Sequence, residues 1–136
     1  MKKKFIDYYM DVALRTAELS VAKRLHVGCI IVKNDSIISH SWNGTPPGWD
    51  NTCEDENNVT KPEVCHAEMN AVAKLAREGI SGKDATVFCT HSACVDCAKL
   101  MYSAGIKEVY YKEDYRSKAG IEFLEKCGVK VTKIED

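Results

Sequence analysis

Two short segments carry the residue types that do hydrolytic chemistry: Cys65-His66-Ala67-Glu68 and Ala93-Cys94-Val95-Asp96-Cys97. His66, Cys94 and Cys97 make a three-ligand set for one Zn2+ per chain. Three protein ligands leave the fourth tetrahedral position open to water, as catalytic zinc requires, whereas a structural site supplies a fourth ligand. Such a site yields hydroxide near neutral pH. Glu68, two residues past His66, needs no metal bond. We read it as the proton carrier, first a base toward the water and then an acid toward the group that leaves. Cys65 adjoins His66, but its side chain should point elsewhere, so packing is its expected role.

These residues must be held where helices begin. Apolar periodicity predicts a helix over 65–78, with Gly79 as its C-cap, and another from 94 to about 104. The i, i+3 spacing of Cys94 and Cys97 puts both sulfurs on one helix face. The positive helix ends should favour their thiolate forms. Upstream, an amphipathic helix is expected over 5–20, its apolar side made by Phe5, Tyr8, Tyr9, Val12, Ala13, Thr16 and Leu19. Strands at 27–32 and 37–41 flank the polar turn Lys33-Asn34-Asp35-Ser36 and form an antiparallel hairpin. A long surface loop should then run to Pro62. Strands at 85–90, 109–111 and 129–134 alternate with helices, the last over 117–127, which implies parallel pairing. The expected fold is α/β: a three-layer α/β/α sandwich on a five-stranded mixed sheet, an antiparallel hairpin followed by parallel strands.

Composition narrows the partners. With 136 residues, 45% of them hydrophobic, the expectation is a single domain over 1–136. A net charge of −1 offers no general attraction to phosphate backbones, so no nucleic-acid partner is expected. Asp7, Asp11 and Arg15 interrupt the apolar run that export after Met1-Lys2-Lys3-Lys4 would need, and no segment suits a membrane. Seven cysteines without export read as thiols or metal ligands rather than a disulfide framework, which implies a cytoplasmic protein. Cys29, Cys89 and Cys127 are expected to be buried inert thiols. Tyr110 and Tyr111 should lie on a strand with one face buried. Trp42 and Trp49 either cover the core edge or belong to an interface.

With these motifs in view, the chain resembles the cytidine and deoxycytidylate deaminase family over nearly its whole length. His-x-Glu followed by Cys-x-x-Cys is the pattern of zinc nucleobase deaminases. Where that pattern has proline before the first cysteine, this chain has Ala93, which gives up a fixed φ but keeps the carbonyl. Val27-Gly28-Cys29-Ile30-Ile31-Val32, Trp42-Asn43-Gly44-Thr45-Pro46, His66-Ala67-Glu68-Met69-Asn70-Ala71 and the run from Cys94 to Lys99 are most similar to the family's deoxycytidylate-acting members.

The resemblance implies a cytidine deaminase-like fold and hydrolysis of dCMP to dUMP and ammonia for pyrimidine deoxynucleotide synthesis. It implies that Glu68 is the shuttle, that Asn43 holds the sugar hydroxyl, and that the Ala67 backbone binds the pyrimidine O2. The Ala93 carbonyl would accept from the substrate amino group. Lys23 and Arg24 would lie by the 5′-phosphate, completed by Tyr115 and Arg116. Trp42, Asn43 and Gly44 resemble the segment that binds dCTP as activator and dTTP as inhibitor, with Mg2+ accompanying the triphosphate, in a homo-oligomer, commonly a hexamer. Cys53 and His91 would be remnants of a second metal site found in some members. The alternatives are a deaminase of free cytidine, of a riboflavin precursor or of tRNA adenosine, and a catalytically silent nucleotide-binding regulator.

Overall fold

The protein is described here by a computed structural model covering residues 1–135. Helix α1 (Lys3–Ala17) precedes strands β1 (Gly28–Lys33) and β2 (Ser36–Trp42). They are followed by α2 (Ala67–Glu78), β3 (Thr86–His91), α3 (Val95–Ser103), β4 (Glu108–Glu113), α4 (Ala119–Lys126) and β5 (Lys130–Lys133). The strands form one sheet in the order β2-β1-β3-β4-β5. β1 runs antiparallel to both β2 and β3, and β3, β4 and β5 are parallel, so the expected mixed sheet is present. The β1–β2 turn works because Asn34 and Asp35 both adopt left-handed φ, 51° and 61°, which these two residue types tolerate and a two-residue hairpin needs.

Alternation along the strands sorts the core onto two faces. Ile30, Val32, Phe88 and Tyr110 pack beneath α1 with Tyr9, Met10 and Ala13. The Phe88 and Tyr110 rings stack at 4.9 Å, and Tyr9 meets Phe88 at 5.4 Å. Cys29, Ile31, Val87, Cys89 and Val109 face the other way, onto Ala71 and Leu75 of α2, Ala98 and Met101 of α3 and Leu124 of α4. Helices therefore cover both sides of the sheet, one on the first face and three on the second. Tyr110 and Tyr111 are consequently both buried, rather than one of the two.

Two expectations need correction. The buried side of α1 is Tyr9, Met10, Ala13, Thr16 and Ala17, whereas Phe5, Tyr8 and Leu19 stay exposed. The close seat of α1 on β1 selects small residues, and the aromatics at 5 and 8 face outward. The segment 42–64 is also more than a surface loop. It pairs back on the chain through the bridges Gly44↔Cys65 and Glu54↔Thr60, and it buries Cys53 and Glu54.

Gly28 is the point where β1 touches α1. A Cβ there would come within 2.1 Å of the Ala13 carbonyl oxygen and 2.6 Å of the Ala17 nitrogen, both main-chain atoms that cannot swing away. Gly28→Ala should therefore push α1 off the sheet and lower stability by about 1–3 kcal/mol, the usual range for overpacking. Its denaturation midpoint measured against the parent chain checks this.

Candidate active site

The site forms at one end of the sheet, where β2, β3 and β4 finish and β1 starts. In open α/β folds ligands collect outside the carboxyl ends of parallel strands, because the following helices begin there. Here α2 and α3 start side by side. Each is preceded by a ligand-type residue in the N-cap position with extended backbone, His66 before α2 and Cys94 before α3, and neither side chain caps its own helix. Sequence periodicity placed both inside their helices. Their extended φ/ψ instead swings the side chains outward, toward each other.

The His66 Nδ1 lies 3.5 Å from the Cys94 sulfur and 3.4 Å from the Cys97 sulfur. All three ligand atoms fall within 4.8 Å of one another, and no second such group occurs among the described residues. A tetrahedral zinc with Zn–S near 2.3 Å and Zn–N near 2.0–2.1 Å has S···N edges of about 3.6 Å. The trio therefore has the size and the donor types of a zinc site. Cys53 and His91 do not extend it: Cys53 is buried with its sulfur directed at the Asn51 carbonyl, 3.8 Å away. Cys65 likewise turns its thiol to the Glu63 carbonyl, away from the trio, in keeping with a packing role.

Glu68 sits in the first turn of α2 and is only 5% exposed. Burial pushes its carboxyl above the usual range. The neighbouring His66 ring and hydrogen bonds from its own backbone and the Cys89 and Cys97 thiols pull the other way. A carboxyl raised toward neutrality can both take and give a proton. Burial also pushes the Cys97 thiol up, and the charges of Glu68 and Cys94 push it further. The expectation that helix ends alone would favour thiolate at Cys97 is thus outweighed by desolvation. Compensation has to come from the cation, which makes metal binding a proton-releasing event.

Above the trio opens a cavity of about 850 Å³. Of the residues expected to bind substrate, Arg24, Asn43, Ala67 and Tyr115 line it, with Arg116 beside Tyr115. Lys23, Trp42 and Gly44 lie outside its lining. Trp42 packs under Lys74, whose ammonium is 5.2 Å from the ring centre, and Gly44 exchanges backbone hydrogen bonds with Cys65. Ala93 is outside the lining too. Its carbonyl oxygen is directed at α4, only 2.0 Å from where a Cβ on Gly120 would stand. The backbone next to the first cysteine is therefore steadied by a neighbouring helix in a chain that lacks the proline.

Ser92 was missed in the sequence. It is buried, its N–H donates to the Glu113 carbonyl at 2.9 Å, and its hydroxyl accepts from the Tyr115 N–H at 2.7 Å. It ties the segment carrying Tyr115 and Arg116 to the loop carrying Cys94. A small hydroxyl residue between a buried strand and Cys-x-x-Cys is the signal that would have found it. His91 lines the cavity, its pKa lowered by burial against the opposing charge of Glu113, and its Nδ1 is 3.1 Å from the Thr90 hydroxyl.

The model of the cytidine and deoxycytidylate deaminase zinc-binding region matches residues 3–113. The chain belongs to this family. ComE operon protein 2 of Bacillus subtilis (strain 168) is 35% identical over 134 residues, covering 95% of this chain and 70% of that protein. The human protein named deoxycytidylate deaminase is 34% identical over 116 residues, covering 79% of this chain and 64% of its own length. This chain thus spans roughly two thirds of either relative. A solved structure of dCMP deaminase from the cyanophage S-TIM5, in complex with dCMP and dUMP, superposes with a TM-score of 0.96 at 46% identity, covering 98% of this chain and 99% of that one. The fold is therefore the cytidine deaminase-like fold, and the chain carries the family's zinc-binding deaminase domain.

Gly120 offers a test of how the metal site is held. In Gly120→Ala the added Cβ would meet the Ala93 carbonyl at 2.0 Å and the Cys94 carbonyl carbon at 2.9 Å, so relief requires moving the backbone that carries Cys94. The variant is expected to retain less than one zinc per chain after dialysis against a weak chelator, while the parent keeps its metal. Elemental analysis of the dialysed proteins reads the difference.

Proposed function

We propose that this protein hydrolyses dCMP to dUMP and ammonia. The observation that carries the reading is the His66, Cys94 and Cys97 trio with Glu68 beside it, at a cavity whose lining also holds Arg24, Tyr115 and Arg116. That cavity pairs hydrolytic machinery with a place for a monophosphate. The likeness to a cyanophage enzyme seen with dCMP and dUMP supports the same substrate.

His66, Cys94 and Cys97 would hold zinc, which would supply Lewis-acid activation of the water that attacks C4 of the pyrimidine. Glu68 takes a proton from that water and hands one to N3, which makes C4 electrophilic. It then takes the second proton from the hydroxyl newly bound to C4 and gives it to the amino nitrogen as ammonia departs, so two protons are taken and two are given. The Ala67 N–H, in the first turn of α2, has no carbonyl partner within the helix and is directed to O2 of the base. Asn43 accepts from the Val27 N–H through Oδ1 and donates to the Leu25 carbonyl through Nδ2, which leaves its second amide proton for a sugar hydroxyl. Arg24 faces the 5′-phosphate. Lys23, outside the lining, is given no contact.

Zinc-loaded protein should release ammonia from dCMP, with deoxycytidine a poorer substrate. Glu68→Gln should keep its zinc and lose about 10²–10⁴-fold in kcat. Absence of dCMP turnover in a zinc-replete sample would reject the reading.

We extend the proposal to regulation and assembly. A homo-oligomer, hexameric in size, would bind dCTP and dTTP with Mg2+ at the Trp42-Asn43-Gly44 segment. Turnover should rise with dCTP and fall with dTTP, and light scattering should give six times the chain mass. Rates indifferent to both triphosphates would remove the regulatory part. Among the described residues no helix is long and apolar enough to cross a membrane.

A further inference from the structure

Glu54 is a buried acid that the chemistry above does not use. It is 7% exposed and sits next to Cys53, which is 1% exposed, in a stretch otherwise dominated by solvated polar residues. Its Oε2 accepts two consecutive main-chain N–H groups, from Lys23 at 2.9 Å and from Arg24 at 3.1 Å. Adjacent amides converging on one oxygen form an anion-holding concavity. A charged acceptor strengthens both bonds.

The segment that presents Glu54 is itself braced. Glu54 pairs with Thr60, the Asp55 N–H donates to the Val59 carbonyl at 2.8 Å, and the Lys61 N–H donates to the Cys53 carbonyl at 2.8 Å. This small hairpin also places Val59 and Thr60 in the cavity lining. From the other side, Asn43 holds the Leu25 carbonyl and the Val27 N–H. The backbone around Arg24 is therefore gripped at both ends by side chains, Glu54 ahead of it and Asn43 behind. Among the described residues neither the Lys23 nor the Arg24 side chain is in an ion pair. The carboxylate is spent on amides, and the guanidinium keeps its charge for the cavity.

We propose that Glu54 is a positioning residue for phosphate recognition: by accepting the Lys23 and Arg24 N–H groups it fixes the backbone from which Arg24 reaches the cavity, and so sets the preference for the 5′-monophosphate over the free nucleoside. The inference rests on the dCMP reading and adds to it a residue that touches no part of the substrate. Glutamine at 54 retains an oxygen that can accept both amides, aspartate withdraws it by one methylene, and alanine removes it.

The test compares the zinc-loaded parent with Glu54→Ala, Glu54→Asp and Glu54→Gln on dCMP and on deoxycytidine. Alanine is expected to raise KM for dCMP by about 10–100-fold, the equivalent of losing hydrogen bonds to a charged group, while leaving kcat within about 3-fold. Its kcat/KM for deoxycytidine should not change. Aspartate should show the same split in weaker form, and glutamine should restore most of the dCMP KM. Equal losses on both substrates, or an unchanged dCMP KM in the alanine and aspartate variants, would overturn the proposal. Hydrogen exchange of the peptide containing Lys23 and Arg24 gives a reading independent of turnover. Protection present in the parent should be lost in the alanine and aspartate variants, and protection that survives would also overturn it. A parent with no dCMP turnover would instead sink the substrate assignment, and the exchange measurement would still judge the anchoring.

Discussion

The active site depends on two helices that begin beside one another without ordinary caps. Ser, Thr, Asp or Asn at an N-cap satisfies one of the free N–H groups of the first turn and is typically worth about 1 kcal/mol. At α2 and α3 this position belongs to His66 and Cys94, and neither makes a capping hydrogen bond. The chain forgoes local helix stability at the two places where extended N-cap backbone aims a side chain across the gap between helices. Packing restores what capping omits. Ala71 and Leu75 of α2 and Ala98 and Met101 of α3 lie in one core cluster with β1 and β3, so both helix axes are fixed by burial.

That same packing sets the electrostatics. Glu68 points into the protein above β1 and β3, where Cys29 and Cys89 stand directly opposite each other across an antiparallel pair. Burial pushes the Cys89 thiol well up, and the nearby Cys29 and Glu68 add to the rise. Cys89 therefore remains protonated and acts as a weak donor rather than a nucleophile. Thiols are well suited to this floor: they are small enough for a closely packed sheet face and still offer a hydrogen to the carboxyl above. A hydrocarbon floor would raise the carboxyl further, and a second acid would compete with it for the same proton.

How far all this was legible in the sequence follows from the range of the interactions concerned. The order of helices and strands rests on periodicity and short turns, so it was readable, as was the mixed sheet. The grouping of His66, Cys94 and Cys97 was readable because the spacing within each segment is local. The exact helix starts were not, since Cys65 and Cys94 are compatible with helix and only the partner segment draws His66 and Cys94 out of it. The buried face of α1 was read correctly at Tyr9, Ala13 and Thr16 but not at its ends, because aromatic residues at 5 and 8 look more apolar than the alanine at 17, yet only small residues fit where Gly28 meets the helix. Glu54 gave no signal at all. Its partners are main-chain amides about thirty residues away, and an acid among Asp55, Glu56 and Asn57 reads as solvated.

A division of labour follows from where hydrogen bonds are satisfied. The reacting groups stand at or near helix starts, whose positions are determined by core packing. The cavity walls come from irregular segments, whose backbone N–H and C=O groups have no ladder to join and must find other partners. In this protein single side chains meet that need. Asn43 serves Leu25 and Val27, Glu54 serves Lys23 and Arg24, and Ser92 serves Tyr115. Each links two segments distant in sequence and leaves the helix starts untouched. Substrate choice can therefore drift by changes at a few polar loop residues while the hydrolytic centre stays as it is. This offers a physical account of how one zinc-and-glutamate arrangement can serve different amino-heterocycles across a shared fold.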